Sequence, residues 1–202
     1  MLTQSISLYI KENSLDHELA LYQEEKEFAE KHELLPEGIN VTVKEPQTRF
    51  VTSYVERVDK ETEELISEEA AELFLKKPVS FVKQHKNEFI YMESPWLELI
   101  NVDALMIEQD DVFKSINVLL GLKLKKKVGE KIKSVLSTKL SGKETSYQMM
   151  FNDKDGLWDL NFALDDIEGF NEELSFSEVY GMVYQFLFRM IEEVEENKRE
   201  QP

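Results

Sequence analysis

The sequence predicts an α+β protein in which an antiparallel sheet, with hairpins at about 49–66 and 146–163, is packed by several helices, including a long carboxyl-terminal helix. Strand-like and helix-like segments follow one another without the strict alternation of a doubly wound parallel fold. An Asp-Gly pair lies between two apolar runs, and a long apolar stripe with helical spacing lies near the end of the chain. With 202 residues, 42% of them apolar, we expect one domain over 1–202 with a frayed tail from about 197.

The first part of the chain predicts a helix, a strand and a hairpin. Residues 15–35 carry large apolar side chains at heptad spacing among glutamates, which predicts one amphipathic helix that Pro36 ends. Apolar and polar residues alternate over 39–43, as in a strand with one wet face. The aromatic and β-branched residues of 49–58 and the polar turn after them predict the first hairpin.

The next segments predict further helices around one strand. Ser67 precedes two glutamates, a good helix start, which predicts a helix over 68–77. Residues 88–93 predict a strand, and Ser94 followed by proline predicts a helix opening. The apolar residues of 96–109 then predict a buried helix.

Residues 110–143 are the basic part of the chain. They hold nine lysines and three acidic residues, a local charge of +6 in a protein of net charge −17, so the remainder carries −23. Apolar residues recur every four positions from Ile116 to Leu136, which predicts a long helix with a lysine-rich outer side. A partial strand through 122–128 is the alternative.

The end of the chain gives the clearest local signals. Gly156, preceded by Asp155, predicts the tight turn of the second hairpin. Ser175 and Glu178 have the spacing of a capping box, and a long apolar stripe follows them. We expect the aromatic residues of this final helix to lie in the core and not in a partner groove.

Composition excludes several classes of function. The chain has no cysteine, which excludes disulfides, thiolate nucleophiles and thiolate metal sites. It has no apolar run long enough to span a membrane and no signal-peptide pattern, so we expect a cytoplasmic protein without membrane contact. The strong negative charge disfavours nucleic acid and favours a basic protein partner.

Motifs for catalysis are absent from the sequence. It contains no phosphate-binding glycine loop, nucleophile elbow or histidine metal spacing, so no cofactor is expected and a non-enzyme is favoured. Asp153, Asp155 and Asp159 form the one candidate metal site, because the stretch around Gly156 resembles the middle of an EF-hand loop. Phenylalanine stands at the first and twelfth ligand positions of that loop, so an exposed hairpin turn is the favoured interpretation.

Charged residues supply the candidate partner-binding positions. They are the basic residues Lys123, Lys125, Lys126 and Lys127 and the acidic residues Asp165, Asp166 and Glu168. We expect an acidic interaction or regulatory protein of the adaptor, inhibitor or immunity type. One alternative is a metal- or ligand-binding protein or enzyme that uses the carboxylates of 153–168, and another is a non-catalytic homo-oligomer.

Overall fold

The computed structural model describes residues 1–140 and 147–196. The helices of this part are α1 (Leu2–Asn13), α2 (Gln23–Lys31), α3 (Ala71–Phe74), α4 (Phe81–Gln84), α5 (Pro95–Leu99), α6 (Gly129–Lys139) and α7 (Phe176–Glu196). Its strands are β1 (Glu18–Leu21), β2 (Asn40–Val43), β3 (Tyr54–Asp59), β4 (Leu65–Glu68), β5 (Glu88–Glu93), β6 (Val102–Gln109), β7 (Ile116–Leu122), β8 (Tyr147–Asn152) and β9 (Leu157–Ala163).

A seven-stranded antiparallel sheet is the centre of the fold. Its strand order is β4-β3-β5-β6-β7-β9-β8, while β1 and β2 form a separate parallel pair joined through α2. The predicted α+β class, both hairpins and the long carboxyl-terminal helix are confirmed. The predicted frayed tail lies outside the described residues.

One face of the sheet and the helices enclose the core. Along β7 the side chains alternate strictly between buried and half-buried, as expected for a strand with one face in the core. Leu105 and Leu120 are buried there with Tyr184 of α7 and Ile6 of α1. The helices therefore form a single layer on one side of the sheet.

The predicted helix over 15–35 is wrong in its first part. Asp16 and His17 have φ of 50° and 62°, so the chain turns there before it enters β1. Leu19 and Leu21 alternate with exposed residues in that strand, and α2 begins only at Gln23. Heptad spacing did not reveal the short strand because apolar residues at alternate positions also fit part of a helical stripe.

The predicted helix over 68–77 is also largely wrong. Residues Leu65–Glu68 pair with β3, and the helix is limited to α3. Ser67 lies inside the strand and donates its hydroxyl to Glu69 Oε1 at 2.8 Å, so it does not cap helix amides. Pairing with β3 satisfies the backbone of this segment and outweighs the local helix signal.

Each of the two central predicted helices contains a strand of the sheet, and in the basic segment a helix follows that strand. Ser94 does cap α5, accepting from the Trp96 amide, but Asn101 has φ 61° and turns the chain into β6. In the basic segment, β7 precedes a 3-10 helix at Lys126–Val128 and then α6. A spacing of four residues is two strand periods as well as about one helical turn, so this pattern did not separate the two structures.

The carboxyl-terminal helix is confirmed with its cap. Ser175 Oγ donates to Glu178 Oε2 at 2.6 Å, and the Glu178 amide donates back to Ser175 Oγ at 3.3 Å. The second of these bonds pairs a backbone amide that would otherwise lack an acceptor in the first turn of α7. Phe176 and Tyr180 are buried, which confirms the core interpretation of the aromatic stripe.

A buried ion pair holds the helical layer together. Glu25 of α2 is fully buried and Arg49 is 4% exposed. The Arg49 guanidinium donates to Glu25 Oε1 at 2.6 Å and to Glu24 Oε2 at 2.5 Å, and it lies 4.0 Å from the centre of the Tyr184 ring. Burial alone would lower the pKa of Arg49, but the two glutamates raise it, so Arg49 stays ionised.

Candidate functional site

The face of the sheet opposite the helices is the candidate site, which we name the open face. Side chains of directly paired residues in antiparallel strands point to the same side of a sheet. The strand register therefore places six residues in one row across the open face: Glu56, Tyr91, Met106, Leu119, Asn161 and Gln148. Met106 and Leu119 are half-buried in the middle of this row and lie outside the core cluster.

A depression of about 600 Å³ lies along this row. Apolar side chains of its floor include Met106, Leu119 and Leu157, and strands β5 to β9 with the β8–β9 turn surround it. None of the described helices lines it. The volume falls within the range of small-molecule and side-chain pockets.

Gly121 lies in the floor of the depression between Asp103 and Leu157, and we name this position the notch. A Cβ atom there would lie 3.4 Å from the Cβ of Asp103 and 3.4 Å from the side chain of Leu157. The register shifts between Val102 and Leu105, so two residues of β6 face Gly121 of β7. Such a bulge re-aims side chains, and here it directs Asp103 to the notch.

Carboxylates surround the apolar floor. Asp103, Asp155 and Asp159 line the depression, and Glu56 and Glu93 lie beside Tyr91. The Asp103 carboxylate forms an ion pair with Lys123, which is half-exposed at the rim. Apart from this lysine, no basic residue of the described chain lines or pairs with the depression.

Two phenols on the open face stay neutral at physiological pH. Burial and a hydrogen bond to Glu93 raise the pKa of Tyr91, and a hydrogen bond to Glu56 raises the pKa of Tyr54 to about 12. Each hydroxyl donates to its glutamate, so each neutral ring lies next to a carboxyl group. The result is an apolar, partly aromatic floor with a negative border.

Asp159 differs from the other carboxylates of the depression. It lies on β9 opposite Gly121 and is exposed, and within residues 1–140 and 147–196 its carboxylate has no hydrogen bond or ion pair. Asp155 accepts from the Asn152 side chain at 2.8 Å, and Asp103 has Lys123. Asp159 is therefore the carboxylate that is most available to an incoming cation.

The three aspartates of the predicted metal site do not converge on one point. Asp153 pairs with Lys126 at 2.7 Å, Asp155 belongs to the β8–β9 turn, and Asp159 lies on the open face. In the described chain their ligand atoms do not gather within 4.8 Å of one another. The metal site at these residues remains a prediction that this arrangement does not support.

The predicted partner-binding residues divide into two groups. The first group follows β7 directly and comprises Lys123, Lys125, Lys126 and Lys127, while the second group follows β9 and comprises Asp165, Asp166 and Glu168. Asn117 pairs with Ala163 and Leu122 with Trp158, so the groups lie at opposite ends of the same strand pair, roughly 20 Å apart. They do not form one surface.

Sequence reasoning missed a second cluster, at the end of α7. One ligand atom each of His32, Glu192 and Glu196 lies within 4.8 Å of the others. The Lys31 ammonium already contacts the two glutamates, at 2.8 and 2.6 Å, and thus supplies the positive charge between them. The spacing of the glutamates on a helix is visible in the sequence, but the approach of His32 depends on the packing of α2 on α7.

The described part of the chain contains no helix with the length and apolarity needed to cross a membrane. Fold and site together define an α+β protein whose antiparallel sheet carries one helical layer and leaves an acidic face open. Comparisons of the chain with protein-family models, with curated proteins and with solved structures find no match.

Proposed function

We propose that this protein binds a basic protein through the open face of its sheet and acts as a regulator of the adaptor, inhibitor or immunity type. The observation that carries the proposal is an apolar floor bordered by carboxylates on a face that the described helices leave uncovered. Chain charge supports it, because residues outside 110–143 carry −23. The cysteine-free chain fits a cytoplasmic setting, where we expect the partner.

The two properties of the open face have different roles in binding. Apolar residues such as Met106 and Leu119 offer surface for the buried centre of an interface, which contributes most of the affinity. Carboxylates at the border attract a basic surface from a distance and orient it, which raises the association rate at low salt. Binding should therefore weaken as ionic strength rises.

The test is a capture experiment with matched variants. The immobilised protein is exposed to lysate of its native host at low and at high salt, alongside Leu119→Arg and Glu37→Lys. The first variant places a positive charge on the floor of the open face, and the second makes a larger charge change at an exposed position of the α2–β2 loop. Circular dichroism establishes that both are folded.

The expected result is a basic protein that wild type and Glu37→Lys retain at low salt and that Leu119→Arg loses. Equal retention by all three proteins would contradict binding at the open face. Binding that does not weaken at high salt would contradict attraction of a basic partner by the carboxylates. Retention only of further copies of the immobilised protein would contradict binding of a different, basic protein.

A further inference from the structure

The geometry points to an arginine side chain of the basic partner as the group that enters the notch at Gly121, between Asp103 and Asp159. This inference rests on the proposed function and names the chemistry of its central contact. It follows from the arrangement of three neighbouring strands, β6, β7 and β9.

At Gly121 the backbone itself lines the depression, and the side chains of Asp103 and Leu157 flank it, each 3.4 Å from where a Cβ atom would lie. The two cross-strand neighbours of Gly121 on the open face are Asp103 on β6 and Asp159 on β9. Two strand spacings separate these backbones by roughly 10 Å. A flat group that enters the notch can therefore meet one carboxylate at each edge.

The charges in the notch favour a cation over an anion or a neutral group. Asp159 is exposed and has no partner in the described chain, and Asp103 is paired with Lys123, a side chain that is itself half-exposed. A cation from a partner satisfies Asp159 and can replace the lysine at Asp103. A divalent metal ion fits less well, since in the described residues Asp103, Asp155 and Asp159 do not bring three ligand atoms within 4.8 Å.

Arginine fits the walls of the notch better than lysine. A guanidinium has donors on opposite edges of a rigid plane and can bridge two separated carboxylates, whereas an ammonium is a compact point charge that must lie close to both. Its weakly hydrated face can pack on Leu157 and the neighbouring apolar floor. Its aliphatic stem would lie along Met106 and Leu119.

Two peptides of equal length and charge test the preference for arginine over lysine without the natural partner. They are an acetylated, amidated (Gly-Arg)₄ peptide and its (Gly-Lys)₄ counterpart, titrated into ¹⁵N-labelled protein at low salt. We expect the arginine peptide to shift the amide signals of Gly121 and Asp159 and to bind about tenfold more tightly than the lysine peptide. Glu37→Gln serves as the charge-matched control and should bind like wild type.

Two variants separate charge from shape. Asp159→Asn removes the free carboxylate, and Gly121→Val fills the notch while leaving the charge unchanged. Each should reduce the preference for the arginine peptide to less than about twofold. Equal affinity of the two peptides for the wild type, or shifts that lie outside the open face, would overturn the inference.

Failure of the arginine subsite can be distinguished from failure of the proposed function, because the peptide titrations test the first and the capture experiment tests the second. If the peptides behave as expected but the capture experiment retains no basic protein, the arginine subsite stands and the proposed function falls. If a basic protein is captured through the open face and Asp159→Asn and Gly121→Val retain it like wild type, the function stands and the arginine subsite falls.

Discussion

The indole of Trp158 packs directly on the backbone of Gly129. A Cβ atom at position 129 would lie 2.4 Å from Cη2 and 2.5 Å from Cζ2 of the Trp158 ring, closer than such atoms approach each other. Gly129 begins α6, and Trp158 lies on the core side of β9. The contact thus fixes the start of this helix against the sheet.

Gly129→Ala should destabilise the protein by about 1–3 kcal/mol, because the added methyl group must displace the indole ring or the helix. Gly181→Ala is the matched control, since a Cβ atom there meets nothing within 4 Å and position 181 lies inside α7. The control should stabilise the protein by about 0.5–1 kcal/mol through helix propensity. Urea unfolding of both variants measures the difference, and equal effects would contradict the packing.

Arg49→Met should cost about 3–5 kcal/mol of stability, because it leaves the buried carboxylate of Glu25 without its charge partner. The double variant Arg49→Met, Glu25→Leu removes both charges and should recover most of that loss. Thermal and urea unfolding at neutral pH provide the measurement. A double variant less stable than the single one would show that the pair does not act as a unit.

Neighbouring residues of β6 should respond differently to truncation. Leu105→Ala should cost about 2–5 kcal/mol, because this side chain is fully buried in the core. Met106→Ala should cost less than about 1 kcal/mol, because Met106 lies half-buried on the open face. Similar losses at both positions would indicate a helix or a covered face in place of the strand with one open face.

Stability should fall with acidification below about pH 4.5, and Glu88 should account for part of the fall. Burial alone would raise the pKa of Glu88, but hydrogen bonds and the charge of Arg57, with contacts at 2.8 and 2.9 Å, lower it from its ordinary value of 4.5. A carboxylate with a lowered folded-state pKa contributes stability above its unfolded pKa and loses it as pH falls through the folded one.

Glu88→Gln tests this linkage. The variant should be less stable than wild type at pH 7 and should lose less stability between pH 5 and pH 3. Chemical unfolding at a series of pH values gives the slope of the unfolding free energy against pH for each protein. If the unfolding free energies of variant and wild type fell in parallel as pH decreased, Glu88 would not contribute to the loss of stability in acid.

Elements with strong local signals were predictable from the sequence. Gly156 has φ 72°, a conformation that favours glycine, and it marked the β8–β9 turn correctly. Ser175 and Glu178 marked the start of α7 through a cap that needs only neighbouring residues. Such features depend on a few consecutive residues, and therefore distant packing does not override them.

The candidate site was not predictable in the same way. Met106 lies in a segment whose apolar residues predicted a helix, and only its pairing with β5 and β7 places it beside Tyr91 and Leu119. Asp159 was predicted as a candidate metal ligand in the second hairpin, but its relation to Gly121 and Asp103 depends on strand order. Strand order results from long-range pairing, which local patterns do not encode.

The strand order also has a consequence for the path by which the chain folds. Of the six pairings in the described sheet, four join strands that are consecutive in sequence, so most of the sheet can grow through short loops with little loss of entropy. The packing of α1 on α7 is different: the Thr3 amide donates to Glu195 across 192 positions of the chain. We therefore expect the sheet to form early, and we expect α1 and α7, the first and last helices of the chain, to pack together late. Their contact is then the slow final step of folding.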